Sequence, residues 1–157
     1  MASMTADDRM SDLDALIWAI EDDPRLRSTI TAVAVFDGPL DRRALRHRIE
    51  RATRVIPRLR QHVVADPLGV APPRWEHDDD FCLPYHLRVA SLGGDGSRRD
   101  LYDLTEELAA QPFDRSRPPW EITHVEGLAD GQSALFITSH HAISDGIGGV
   151  GLSLEIF

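Results

Sequence analysis

Residues 112–146 read PFDRSRPPWEITHVEGLADGQSALFITSHHAISDG, and this stretch decides the fold class. Its opening, continued back to Gln111, holds Pro112, Pro118 and Pro119, which forbids a helix and calls for a fixed irregular segment. Glu121–Val125 and Ser133–Thr138 are apolar and β-branched at most positions and flank the turn signal Asp130-Gly131, so they read as paired strands. Two adjacent histidines leave the second strand, and Asp145 and Gly146 follow. The chain then continues as a glycine-spaced apolar helix to Phe157. Strands tied to helices in this way indicate an α/β protein.

Working outward, Ser97 opens a helix with Leu101, Leu104 and Leu108 on one stripe. Before it, Tyr85–Ala90 and Leu59–Val64 read as strands, separated by a Pro/Gly loop over 66–73 and the acidic run Asp78-Asp79-Asp80, and residues 93–96 read as a flexible loop. Asp41 caps a helix whose stripe is Leu45, Ile49, Ala52 and Ile56, limited by Pro57. Thr29–Phe36 reads as a strand buried on at least one face. A first helix starts at the cap Ser11, with Asp14 three residues on, and its apolar positions Leu13, Leu16, Ile17 and Ile20 are expected to face the core. No internal repeat or low-complexity tract is visible.

With 157 residues the chain is the size of one domain and can bury about 70% of its unfolded surface. Its 42% hydrophobic and 27% charged content excludes a disordered tail, and no run of about 20 apolar residues suggests a membrane span. The start has neither a basic stretch nor an apolar core, and Cys82 is the only cysteine, so neither secretion nor a disulfide framework is expected and a cytoplasmic location is the default. A net charge of −9 argues against a nucleic-acid binder. All 17 basic residues are arginine, and eight of them lie between Arg42 and Arg60 against one acid, Glu50. That basic helix has two readings, a solvated face over a buried stripe or a surface lying on anionic lipid.

The His-His pair is the one constellation that looks built for reaction. Neighbouring side chains on extended backbone point to opposite faces, so His140 and His141 cannot share a role. A neutral imidazole can take the proton of an alcohol as it attacks an activated acyl carbonyl, with no serine or cysteine nucleophile required. Asp145 suits a turn or an ion pair with an arginine, and Gly146 permits close backbone approach. The plain alternative is a set of structural polar residues in a loop. A zinc site lacks a third ligand at helical spacing, and no metal is expected.

HHAISDG, residues 140–146, resembles the HHxxxDG motif of the CoA-dependent acyltransferases related to chloramphenicol acetyltransferase, which carnitine acyltransferases and nonribosomal condensation domains share. PFDRSRPPWE, residues 112–121, resembles the PLDxSRPLWE segment of bacterial wax ester synthase/diacylglycerol acyltransferases, with Glu121 standing 19 residues before His140. SDLDALIWAIED at 11–22, PRLRQHVV at 57–64 and PRWEHDDDFCLPYHLR at 73–88 are similar to other passages of that family. The resemblance therefore runs from Met10 onward. Phe113 and Pro119 depart from it where leucines are usual, as does Arg27-Ser28-Thr29 where a His-Met-His type of sequence often stands. The last departure bears on the acyl or alcohol pocket.

The resemblance implies one lobe of a chloramphenicol-acetyltransferase-like fold, with a mixed, largely antiparallel sheet flanked by helices. Residues 1–9 would be a flexible start, and residues 10–157 an N-terminal acyltransferase lobe whose second lobe is absent. It implies that His141 is the general base, that His140 is its structural neighbour, that Asp145 holds the loop by an ion pair and that Gly146 leaves room near the thioester. Asp114, Arg115, Arg117, Trp120 and Glu121 would be scaffolding near the site, with Trp120 readable simply as core and Arg117 as the partner of a nearby acid. The implied reaction transfers a long-chain acyl group from acyl-CoA, a co-substrate, to diacylglycerol or a fatty alcohol, with no other cofactor. The implied partners are those substrates, a second lobe in another chain, and peripheral contact with the inner membrane face or a lipid droplet. A chain ending 11 residues after Gly146 would lack oxyanion donors and much of the acyl tunnel, and would leave a strand uncovered. Two other readings stand beside it, a non-catalytic lipid- or partner-binding remnant and a condensation-type domain, the second of which leaves PFDRSRPPWE unexplained.

Overall fold

The computed structural model describes residues 9–21 and 23–144. The expected flexible start thus lies outside the described residues except for Arg9, which forms an isolated antiparallel bridge with Arg74. The final apolar helix, Asp145 and Gly146 also lie outside them.

Among the described residues six strands and five helices follow one another as α1 (Asp12–Ile20), β1 (Thr29–Phe36), α2 (Arg42–Val55), β2 (Gln61–Val64), β3 (Arg74–His77), α3 (Leu83–His86), β4 (Leu87–Ser91), α4 (Arg98–Ala109), β5 (Trp120–Glu126), β6 (Ser133–His140) and α5 (His141–Ser144). The main sheet has the order β1-β6-β5-β4, antiparallel except for the parallel pair β4/β5, and β2/β3 form a separate antiparallel pair. A parallel pair needs a crossover connection, and α4 supplies it. The fold class is as the sequence implies, a mixed, mostly antiparallel sheet flanked by helices.

The two faces of the sheet carry separate cores. Leu45, Ile49 and Ala52 of α2 pack with Leu59 on Trp120, Ile122 and Leu135, whereas Leu101 of α4 packs with Leu128 on Val125 and Ala134. The stripe of α2 is therefore spent on the sheet, and its arginines face outward, Arg42 pairing with Glu126 and Arg54 with Glu50. Ser97 forms a complete capping box with Asp100 at the head of α4. The loop before α4 passes so close to the end of β5 that a Cβ on Gly96 would stand 2.1 Å from the Gly127 carbonyl, and its φ of +65° suits glycine alone.

Four expectations are corrected. β1 lies at the edge of the described sheet, and among the described residues neither face is covered from Ile30 to Val33: these two, which point to opposite faces, are both about two-fifths exposed. The helices reach only its far end, at Val35 and Phe36. The strand expected over Tyr85–Ala90 starts at Leu87, because Pro84 sits in the first turn of a short helix that ends at His86. The strand expected from Leu59 starts at Gln61, since Pro57 opens a 3-10 turn over Pro57–Arg60. Most consequentially, α1 is rotated from its expected setting. Leu13, Leu16 and Ile20 are exposed, and its buried side chains are Asp14 and Trp18. No described helix is long and apolar enough to cross a membrane.

Candidate active site

The site forms where β6 ends and α5 begins. Strand and helix meet between the two histidines, so their side chains diverge. The main chain is held on both sides, by His140 N–H to the Pro119 carbonyl (2.9 Å) and His141 N–H to the Ser28 carbonyl (3.0 Å).

His140 is fully buried, edge-on to the Trp18 ring at 4.8 Å. The Ala142 N–H donates to its Nδ1 (3.0 Å), which leaves the ring proton on Nε2, where it is donated to Glu21 Oε1 at 2.8 Å. Burial pushes its pKa below the ordinary imidazole range against the opposing pull of Glu21, so it is neutral at pH 7. Both ring nitrogens are thus committed within the fold, and His140 has none to offer a substrate.

His141 is different. Its side chain is 44% exposed at the head of α5, while Ala142 and Ile143 beside it are buried. Its Nδ1 stands 3.7 Å from Oδ1 of Asp14, whose own side chain is only 7% exposed. A half-exposed imidazole with one edge against a buried carboxylate can serve as a proton acceptor.

The Pro-rich segment ties the surrounding pieces together. Asp114 accepts from Ser116 N–H and Oγ–H, which shapes the turn and holds its carboxyl below the usual range. The Arg115 guanidinium lies over the Trp18 ring at 4.8 Å and donates to the Trp18 carbonyl at 2.9 Å, satisfying an open carbonyl in the last turn of α1. Arg117 donates to the Asp80 carbonyl (2.7 Å) and faces the buried Asp78 carboxylate at 3.4 Å. Trp120 is buried, its indole N–H bound to the Leu59 carbonyl (2.9 Å) and its carbonyl to His86 Nδ1 (2.8 Å), with the His86 ring stacked between Trp120 and Phe81. Glu121, its pKa pushed up by burial, faces Arg88 at 3.2 Å.

The acids of α1 escaped the sequence reading. Asp14, Trp18 and Glu21 recur at i, i+4 and i+7, one face of a helix, and that face meets the histidines. The signal was present but competed with the more apolar stripe Leu13–Leu16–Ile20. Two of the departures noted in the sequence also converge: Arg27 and Thr29 line, with Phe113 and Glu21, a small cavity of about 40 Å³ beside the His140 pair. That is room for a water or two, not for an acyl chain. A wider groove of about 340 Å³ between α2 and the sheet lies at Phe36 and Leu40, the end of the sheet remote from His140. Among the described residues no group of three His, Cys, Asp or Glu side chains is placed to hold a metal ion.

Comparison with known proteins adds the family. Residues 10–157 match the wax ester synthase/diacylglycerol acyltransferase catalytic domain. The chain belongs to that family. A Mycobacterium tuberculosis (strain CDC 1551 / Oshkosh) protein named as a putative diacylglycerol O-acyltransferase is 41% identical over 150 residues, which is 96% of this chain and 30% of that protein. The chain therefore spans about a third of the length of the curated relatives it matches over most of its own length. Among solved structures, the wax ester synthase/diacylglycerol acyltransferase from Marinobacter aquaeolei VT8 superposes with a TM-score of 0.72 at 22% identity, covering 94% of this chain and 36% of that one. The starter condensation domain of rhizomide synthetase gives 0.77 at 14% identity, over 95% and 34%. Both likenesses concern the fold.

Proposed function

We propose that this chain carries the general base of an acyl-CoA-dependent O-acyltransferase that moves a long-chain acyl group to diacylglycerol or a fatty alcohol. The observation that carries this reading is the division of labour at residues 140–141: His140 is spent inside the fold, while His141 holds a half-exposed imidazole against a buried carboxylate. His141 takes the proton of the acceptor hydroxyl as its oxygen attacks the thioester carbonyl. Collapse of the tetrahedral intermediate breaks the C–S bond, and the proton passes to the departing thiolate, giving ester and free CoA thiol. Acyl-CoA is a co-substrate, and the reaction uses no other cofactor. Water must be kept out, since it would take the place of the alcohol.

Asp145 and Gly146, which lie outside the described residues, complete the HHxxxDG motif, with Asp145 as a loop-holding ion-pair residue and Gly146 as the small residue near the thioester. A second lobe, in the same or another polypeptide, would supply the facing wall of the site. A cytoplasmic protein touching an anionic membrane or a lipid droplet through the outward Arg43 and Arg46 of α2 belongs to the same proposal.

The test is time-dependent release of CoA thiol from a long-chain acyl-CoA with diacylglycerol present. His141→Ala is expected to lower turnover by at least about 10²-fold without unfolding the chain. Wild-type turnover in that variant would remove the base assignment. Binding of acyl-CoA without thiol release by the unaltered chain would favour the second reading, a non-catalytic lipid- or partner-binding module.

A further inference from the structure

We infer that Asp14 is a positioning residue for His141: its Oδ1 receives the Nδ1–H of the imidazole and so leaves Nε2, on the far side of the ring, unprotonated toward the acceptor hydroxyl. This deepens the proposed function and rests on His141 being the base.

The geometry is specific. Asp14 lies on the buried face of α1, and its carboxylate is already oriented by Ser11, whose Oγ–H donates to Oδ2 at 2.7 Å and whose Oγ accepts the Asp14 N–H at 3.1 Å. Cap formation therefore uses one carboxylate oxygen only. The other, Oδ1, is buried, has no hydrogen-bond partner among the described residues, and faces His141 Nδ1 at 3.7 Å. A buried carboxylate oxygen lacking a donor is costly, and a helix cap does not require it. An imidazole N–H is the donor within reach. The separation exceeds a hydrogen bond by roughly 0.8 Å, a gap that rotation of the exposed ring closes while the main chain of His141 stays on the Ser28 carbonyl. Catalytic hydrogen bonds are often long in unliganded sites and tighten around substrate.

Glu21, two helical turns beyond Asp14, holds the other histidine by its Nε2–H. One helix thus presents two carboxylates to two neighbouring imidazoles and selects opposite tautomers: Nε2–H at His140, which is structural, and Nδ1–H at His141, whose Nε2 is then the base. A different tautomer at His141 would turn a proton toward the hydroxyl instead of a lone pair.

The experiment is 15N-resolved NMR of the imidazole nitrogens of the 157-residue chain at pH 8.5, above the ordinary imidazole range. His141 is expected as Nδ1–H and His140 as Nε2–H. Asp14→Leu, and the smaller Asp14→Ala, are expected to convert His141 to the Nε2–H form while the His140 signals stay in place and report an intact fold. Asp14→Asn, which keeps an acceptor oxygen, and Ser11→Ala, which removes the cap and the bond to Oδ2 but leaves Oδ1 in place, are expected to retain Nδ1–H. In the thiol-release assay Asp14→Leu should lower kcat about 10²-fold, with KM for acyl-CoA within about twofold of wild type and most of the rate restored in Asp14→Asn. An Nε2–H tautomer at His141 in the unaltered chain, or Nδ1–H persisting in both apolar variants, overturns the inference even where His141→Ala abolishes turnover. Full turnover in His141→Ala overturns the base reading instead, and the tautomer result is then read without it.

Discussion

Replacing Glu21 by leucine tests whether the carboxylate at the end of α1 holds the His-His corner together. Glu21 Oε1 accepts from His140 Nε2 at 2.8 Å and from Ser28 N–H at 2.6 Å, and its side chain is 9% exposed. Leucine of similar size removes both acceptors and leaves the buried imidazole N–H and the Ser28 N–H without partners. Each orphaned donor costs about 1–3 kcal/mol, and removing a buried carboxylate returns part of that, so a net loss of about 2–4 kcal/mol is expected. Glu21→Gln keeps an oxygen in place and is expected to lose about 1 kcal/mol, mostly the charge assistance of the two bonds. Urea unfolding followed by far-ultraviolet circular dichroism reads the difference. With a slope of about 2 kcal/mol per molar, the leucine variant should unfold about 1–2 M earlier than wild type and the glutamine variant about 0.5 M earlier. A leucine variant within about 0.5 kcal/mol of wild type would show that the pair contributes nothing, and the account of His140 as a residue fixed by Glu21 would fail.

Two further outcomes follow from burial. Burial holds His86, His124 and His140 below the ordinary imidazole range, so the unfolded chain takes up protons near pH 6.5 that the folded chain refuses. The associated stability is present above that pH and lost as pH falls: at pH 5.5 each histidine kept neutral costs about 1.4 kcal/mol, and all three cost up to about 4 kcal/mol, so equal urea midpoints at pH 7.5 and 5.5 would contradict the buried, neutral assignment. On α1, Trp18→Ala is expected to destabilise by about 3–5 kcal/mol and Leu16→Asp by less than about 0.5 kcal/mol, because Trp18 is 7% and Leu16 60% exposed. The reverse order in thermal unfolding would restore the orientation suggested by the apolar stripe.

Much of the fold is legible where local chemistry and burial agree. The cap Asp41 and stripe of α2, the capping box of α4, and the β5/β6 hairpin around Asp130-Gly131 each combine a start or turn signal with a face that does pack on the core. Legibility fails where the partner is distant. Glu21 and His140 are 119 positions apart, and nothing in the local pattern of α1 announces that an acid will find a buried imidazole there. Periodicity identifies a stripe but not what faces it, so Leu13, Leu16 and Ile20 outcompeted Asp14 and Trp18. β3 was missed for a related reason: in Arg74–His77 only Trp75 is apolar, and the strand exists because its backbone pairs with β2. The His pair itself was legible as chemistry, and the pair of acids that holds it was not.

The setting of α1 links stability to the site. Nine residues are too few for a helix to persist alone, and most of its apolar side chains contribute no buried contact. What fixes it is Trp18 between Arg115 and His140, the Arg115 bond to its last turn, Met10 N–H on the Pro73 carbonyl, and the carboxylates facing the two histidines. The sheet with α2 and α4 already buries the bulk of both cores without it. The helix is therefore held chiefly by the residues it organises, and assembly of the His-His corner and docking of α1 are one event. A carboxylate lost from this face weakens both the fold and the imidazole setting, whereas a change on the outer stripe weakens neither.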